Sequence, residues 1–81
     1  MVTVEILKEL FEKIFGNELN LDNINENSDL RKDIGTTSIS FLYMAMVIEE
    51  KYSIKFTNDD FVKIHTVKDV IDTIESKVNA K

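Results

Sequence analysis

Residues 33–52 read Asp33-Ile34-Gly35-Thr36-Thr37-Ser38-Ile39-Ser40-Phe41-Leu42-Tyr43-Met44-Ala45-Met46-Val47-Ile48-Glu49-Glu50-Lys51-Tyr52, and this stretch decides the fold. A glycine turn delivers Thr36, Thr37 and Ser38 to the start of a long apolar segment. From Ile39 to Ile48 only Ser40 is polar. Thr37 or Ser38 is a good N-cap, so the pattern predicts a helix from near Ser38 to near Tyr52. A surface helix needs one apolar stripe. This one carries two. At about 100° per residue, Phe41, Met44, Ala45, Ile48 and Tyr52 share one side, and Ile39, Leu42, Tyr43 and Met46 share another, with Val47 at the far edge. Either the helix is central and buried on most sides, or the second stripe is a docking surface, since a contiguous exposed apolar patch marks an interaction site. Methionines suit a face that must accept several shapes.

Upstream, Val4, Leu7, Leu10, Phe11, Ile14 and Phe15 fall at three- and four-residue steps, which predicts a first helix from about Thr3 to Phe15. Thr3 is positioned to cap it, Gly16 to end it in a left-handed turn, and Glu9 with Lys13 to pair on its outer face. From Asn17 to Thr37 the period dissolves. Five asparagines (17, 20, 23, 25 and 27) lie among Leu19, Leu21, Ile24 and Leu30, and asparagine favours turns. So long a connection, with apolar residues spaced along it, is expected to be pinned across the helices. Asp29-Leu30-Arg31-Lys32 fits a single helical turn. Downstream, Ser53 to Phe56 reads as a short link. Thr57, Asn58 and Asp59 open a short third helix carrying Phe61, Val62 and Ile64. Thr66, with Asp69 three residues on, opens a last helix whose face is Val67, Val70, Ile71, Ile74 and Val78 and which frays by Lys81. The expected fold is all-α: a small bundle of three main helices and one short one, in a single domain over 1–81.

Composition narrows the function. The chain has 81 residues, and 15 Asp and Glu against 10 Lys and Arg give a net charge of -5. Phosphate backbones repel such a protein, so nucleic acid is set aside, and basic protein surfaces are favoured. No cysteine means no disulfide framework, no thiolate metal site and no thiol of the protein's own. The N-terminal stretch from Met1 lacks the features of a signal or transit peptide, and no apolar run approaches the ~20 residues of a membrane span. A soluble, cytoplasmic monomer is expected.

At this point the chain resembles an acyl carrier protein over nearly its whole length. The family's attachment motif, Gly-x-Asp-Ser-Leu at the head of its second helix, stands here as Gly35-Thr36-Thr37-Ser38-Ile39. Glu49-Glu50-Lys51-Tyr52-Ser53-Ile54, Asn58-Asp59-Asp60 and Lys63-Ile64-His65-Thr66-Val67-Lys68-Asp69-Val70 continue the match. The resemblance implies that Ser38 carries 4′-phosphopantetheine through a phosphodiester, installed from coenzyme A and magnesium by a phosphopantetheinyl transferase. The arm's thiol then holds acyl groups as thioesters for acyl-transferring or synthase enzymes of fatty-acid, specialised lipid or polyketide biosynthesis. The protein is thus a tethered substrate, not an enzyme. A phosphodiester there would meet free backbone N–H groups and the positive end of the helix dipole. The resemblance further implies partner docking through Ile39, Leu42, Tyr43, Met46, Val47, Glu49 and Glu50. It also implies that an acyl chain could shelter between the second and third helices against Met44, Ile48, Phe56, Phe61 and Ile64, which otherwise read as plain core.

The sequence departs from the family pattern at Thr37, where aspartate is usual, and at Ser40 and Tyr43, where acids are common. Threonine can still cap, so the fold need not change. Docking is therefore expected to rest more on apolar contact and less on charge. The alternatives are a stand-alone peptidyl or aryl carrier and an unmodified helical adaptor. Among other signals, His65 stands alone, lacks further ligands or a paired nucleophile, and is expected to pack between the third and fourth helices. Taking Asn23, Asn25 and Asn27 as calcium ligands would require glycine at Ser28 and glutamate at Ile34, so no dedicated calcium loop is read. Asp59 and Asp60 leave room only for a loose divalent ion.

Overall fold

The computed structural model describes residues 2–16 and 19–80; Met1, Asn17 and Lys81, on which parts of the N-terminal stretch, the expected loop and the expected frayed end fall, lie outside the described residues. The elements run α1 (Val4–Phe15), α2 (Ser38–Tyr52), α3 (Asn58–Lys63) and α4 (Val67–Asn79). Each helix is opened by a threonine. Thr3, Thr37, Thr57 and Thr66 all sit in extended backbone and accept an N–H from three residues on, satisfying one of the orphan donors of a first turn. At the three later starts, Ser40, Asp60 and Asp69 return the bond to the cap backbone, completing capping boxes. The Asp69 carboxylate accepts from His65 N–H at 2.9 Å and Thr66 N–H at 3.0 Å. Burial pushes its pKa up, but these bonds outweigh burial and the net shift is downward.

Helix ends depart from expectation in detail. Gly16 has φ 58° and ψ -123°, which is not the left-handed helical conformation, though its N–H still bonds Glu12 C=O. The positive φ explains the glycine. Glu9 and Lys13 do not pair; the surface helix pair is Lys68–Asp72, at 3.3 Å. α2 ends with Ser53 in the left-handed region at φ 55° and ψ 47°, its N–H and that of Ile54 both donating to Glu49 C=O. L-residues are strained there and glycine is not. Ser53→Gly is expected to raise stability by about 0.5 kcal/mol after allowing for its looser unfolded chain, read as a melting temperature higher by roughly 2–4 °C. A lower one overturns the assignment of strain.

The core draws on α1 (Leu7, Phe11), α2 (Met44, Ile48), α4 (Val67, Val70, Ile71, Ile74) and, as heavily, the long loop (Leu19, Leu21, Leu30, Ile34). α3 contributes no buried residue. It is held at its edge, by Lys77 Nζ at 2.8 Å from Asp60 Oδ2 and by Phe61 against Phe41 and Phe56, with ring centroids 5.8 and 5.9 Å apart. The loop is strapped to the head of α4. Val67 N–H donates to Ser28 C=O at 3.1 Å, Lys68 N–H to Glu26 C=O at 2.9 Å, and Leu30 N–H to His65 C=O at 2.9 Å. The first N–H groups of a helix have no partner within it, so the loop completes α4 while α4 orders the loop. The radius of gyration is 11.6 Å, close to the ~12 Å of a compact chain this long. Among the described residues no helix is long and apolar enough to cross a membrane.

Candidate functional site at the head of the second helix

The approach to Ser38 is fixed before α2 begins. Asp29 Oδ1 accepts the N–H groups of Arg31 and Lys32 at 2.9 and 2.8 Å, and Asp29 C=O accepts those of Asp33 and Ile34. The expected single helical turn is therefore present. The Lys32 N–H bond, with that from Arg31, holds the Asp29 carboxyl below the usual range despite desolvation. Leu30 C=O then receives both Thr36 N–H at 2.9 Å and Thr36 Oγ1 at 2.8 Å, and Ile34 C=O receives Asn20 N–H at 2.9 Å. Thr36 is buried and Ile34 is 1% exposed. Between these anchors Gly35 takes φ 91° with open space where a Cβ would sit. The requirement for glycine is thus backbone conformation, not room.

Three hydroxyls arrive together and only one is free. Thr37 Oγ1 accepts Ser40 N–H at 3.2 Å. Ser40 Oγ accepts Thr37 N–H at 2.8 Å and also contacts Thr37 C=O. Ser38, the first residue of α2, is exposed, and its hydroxyl makes no hydrogen bond. The Ser38 and Ile39 N–H groups are likewise unbonded, as first-turn donors are unless something caps them. No acid lies in that turn. Thr37 performs the capping role that aspartate would, without placing a carboxylate beside Ser38. The corner therefore offers a free nucleophilic oxygen, two free donors and the positive end of a 15-residue helix, a setting that suits an anionic substituent. A phosphodiester on Ser38 fits these residues.

The second stripe of α2 is not buried. Ile39 is 81%, Met46 63%, Leu42 54% and Tyr43 51% exposed. Val47 is half-buried, and Tyr43 is braced edge-on by Phe15 at 6.1 Å. A helix central on most sides is thereby corrected: α1, α4 and the loop fill only one face. Glu49 and Glu50 separate. Glu50 is exposed, whereas Glu49 is half-buried and its Oε2 accepts Phe56 N–H at 2.7 Å, so it fastens the link after α2. The spacing of two acids could not reveal which of them meets an orphan amide seven residues on.

The five expected lining residues also divide. Met44, Ile48 and Ile64 belong to the main core, while Phe56 and Phe61 are half-buried and in ring contact. A groove of about 540 Å³ opens between the Asp29–Lys32 turn and α3, touching Phe41, Phe61 and Ile64. Phe41 was legible only as inner-face core; its place one turn below Ser38 is the signal that marks it. His65 corrects the expectation of packing: its side chain is exposed, and its backbone makes the contacts. Asp60 is committed to Lys77 and Thr57, and the Lys77 bond, reinforced by those from Thr57 and opposed by desolvation, holds its carboxyl low. It is thus spoken for as a ligand to a loose cation.

The sequence matches the family profile described as a phosphopantetheine attachment site over residues 5–74. It is 33% identical to an acyl carrier protein of Coprothermobacter proteolyticus over 74% of this chain and 73% of that one. It is 30% identical to one from Chlamydia felis over 88% and 94%, and 30% identical to one from Cylindrotheca sp. over 95% and 98%, respectively.

Proposed function

The chain belongs to the phosphopantetheine-attachment family, with acyl carrier proteins as its relatives, and we propose that Ser38 is the residue that bears its 4′-phosphopantetheine. When attached, that arm supplies a terminal thiol on which acyl groups are carried as thioesters in fatty-acid biosynthesis, a group this cysteine-free chain lacks. The observation that carries the assignment is the division of hydroxyls: Thr37 and Ser40 occupy each other, and Ser38 is exposed and unbonded. Ser38 Oγ is the nucleophile of attachment: its bond to the phosphopantetheinyl phosphorus forms as the pyrophosphate bond of coenzyme A breaks and the adenosine bisphosphate leaves. Among the described residues no group accepts its hydrogen, so the transferase supplies the base. The Ser38 and Ile39 N–H groups would hold the phosphate oxygens, and Gly35 and buried Thr36 fix the corner that presents them. The chain is on this reading a substrate for its partners and not itself a catalyst. Incubation with coenzyme A, magnesium and a broad-specificity phosphopantetheinyl transferase is expected to add one phosphopantetheine by intact mass, mapped to Ser38. No gain with several transferases overturns the proposal.

Partners dock, we further infer, on Ile39, Leu42, Tyr43 and Met46, with Val47 at the edge and Glu50 as the nearby charge. Glu49 is occupied at Phe56. Burying one such side chain is worth about 1.5–3 kcal/mol, tenfold or more in affinity. Leu42→Lys and Met46→Lys are each expected to raise the transferase KM about tenfold with kcat little changed. Glu50→Gln and a rise in salt should change it far less, because salt screens charges and not apolar contact. A strong salt dependence with Leu42→Lys silent would show that charge drives docking.

A further inference from the structure

We propose that the groove beside the head of α2 selects cargo ending in a carboxylate, an inference that rests on Ser38 as the attachment point. Phe41, on its wall, lies three residues from Ser38, about 4.5 Å along the helix. A group tethered at Ser38 therefore has the groove within reach. Its volume, about 540 Å³, falls in the range of small-molecule sites. The floor is apolar, with Phe41, Phe61 and buried Ile64 able to cover a methylene chain. The rim is not: Arg31, Lys32 and His65 all line it.

Arg31 is the only arginine in a chain of net charge -5. Neither it nor Lys32 has an ion-pair partner among the described residues, where the paired cations are Lys68 and Lys77. Asp29 also lines the groove; its Oδ1 accepts the backbone N–H groups of Arg31 and Lys32, and its charge is answered by Lys32 and His65 but not by Arg31. Asp33, next in sequence, holds Asp29 N–H. Arg31 is thus the rim cation that no carboxylate among the described residues answers, beside an apolar floor. A guanidinium presents paired donors that match a carboxylate. A chain with a methyl end would fill the trough and leave Arg31 unanswered; a chain with an ω-carboxylate satisfies both trough and guanidinium.

The test loads wild type and an Arg31→Gln/Lys32→Gln variant from hexanoyl-coenzyme A and from adipoyl-coenzyme A, its six-carbon ω-carboxylate counterpart. Intact mass confirms loading first, so failure to load counts against attachment at Ser38 and not against the groove. In wild type at low salt the adipoyl form is expected to melt higher than the hexanoyl form. It should shift the backbone amide resonances of Arg31, Lys32, Phe61 and Val62, and its thioester should hydrolyse roughly three- to fivefold more slowly, the scale of one partly exposed ion pair. The difference should vanish in the double variant, which is itself expected to fold because both side chains are exposed. Equal behaviour of the two cargoes in wild type overturns the proposal. A difference that survives in the double variant overturns it as well.

Discussion

Ser38→Ala is expected to abolish the phosphopantetheine mass gain and leave the fold untouched, while Ser40→Ala does the reverse. The two serines lie two residues apart and differ only in what their hydroxyls do. Ser38 is exposed and bonds nothing, so an alanine there removes no contact and adds a better helix former. Its melting temperature should stay within the ±0.5 kcal/mol typical of featureless surface changes. Ser40 accepts Thr37 N–H at 2.8 Å and completes the capping box. Losing one half of such a box costs about 1 kcal/mol, or roughly 4–8 °C in a domain this small. Ser40→Ala should still be modified, at Ser38. A mass gain that persists in Ser38→Ala, or that disappears in a folded Ser40→Ala, would falsify the assignment.

That division also shows what the sequence could and could not disclose. The four helices were legible, with Thr3 and Thr66 as caps and the other two caps narrowed to Thr37 or Ser38 and to Thr57, Asn58 or Asp59, because each start is a local pattern of a capping residue followed by an apolar period. The serine proposed for attachment was legible through its motif. Which hydroxyl was free was not, since a capping box through Ser40 is an arrangement of side chains that the spacing permits but does not require. Thr37 is the instructive case: as a departure from the family's aspartate it raised the question of whether the site survives, and the structure answers that threonine holds the cap. The split between Glu49 and Glu50 was hidden for a different reason. Glu49 is recruited by Phe56 N–H across the turn after α2, and only the path of the chain brings that amide to it. The same holds for His65, whose backbone N–H and carbonyl, not its ring, make its hydrogen bonds.

Alanine at Leu30 or Ile34 is expected to cost as much as alanine in the middle of a helix, although neither residue belongs to one. Both are 1% exposed and lie in the core cluster with Leu7 and Phe11. Truncating a buried leucine or isoleucine removes transfer free energy and leaves a cavity, together about 2–5 kcal/mol. A chain of this length has roughly 4–12 kcal/mol in all. A fall in melting temperature of about 10 °C or more is expected, against little change for Ile39→Ala, which is exposed on α2. The sequence showed these as apolar residues of a loop without a sustained period, pinned across the helices, with Leu30 in a single helical turn. Their side chains reach the core because backbone bonds to distant partners, Asn20 N–H to Ile34 C=O and Leu30 N–H to His65 C=O, hold the loop there, which a residue-by-residue period cannot register. The functional consequence separates this account from simple core packing. Leu30 C=O also holds Thr36, and Thr36 precedes the Thr37 cap. Leu30→Ala, assayed well below its melting temperature, should therefore slow phosphopantetheine transfer to Ser38, whereas an equally destabilising Ile74→Ala in α4 should not. Equal transfer rates in the two variants would mean that the loop supports the core alone and not the serine.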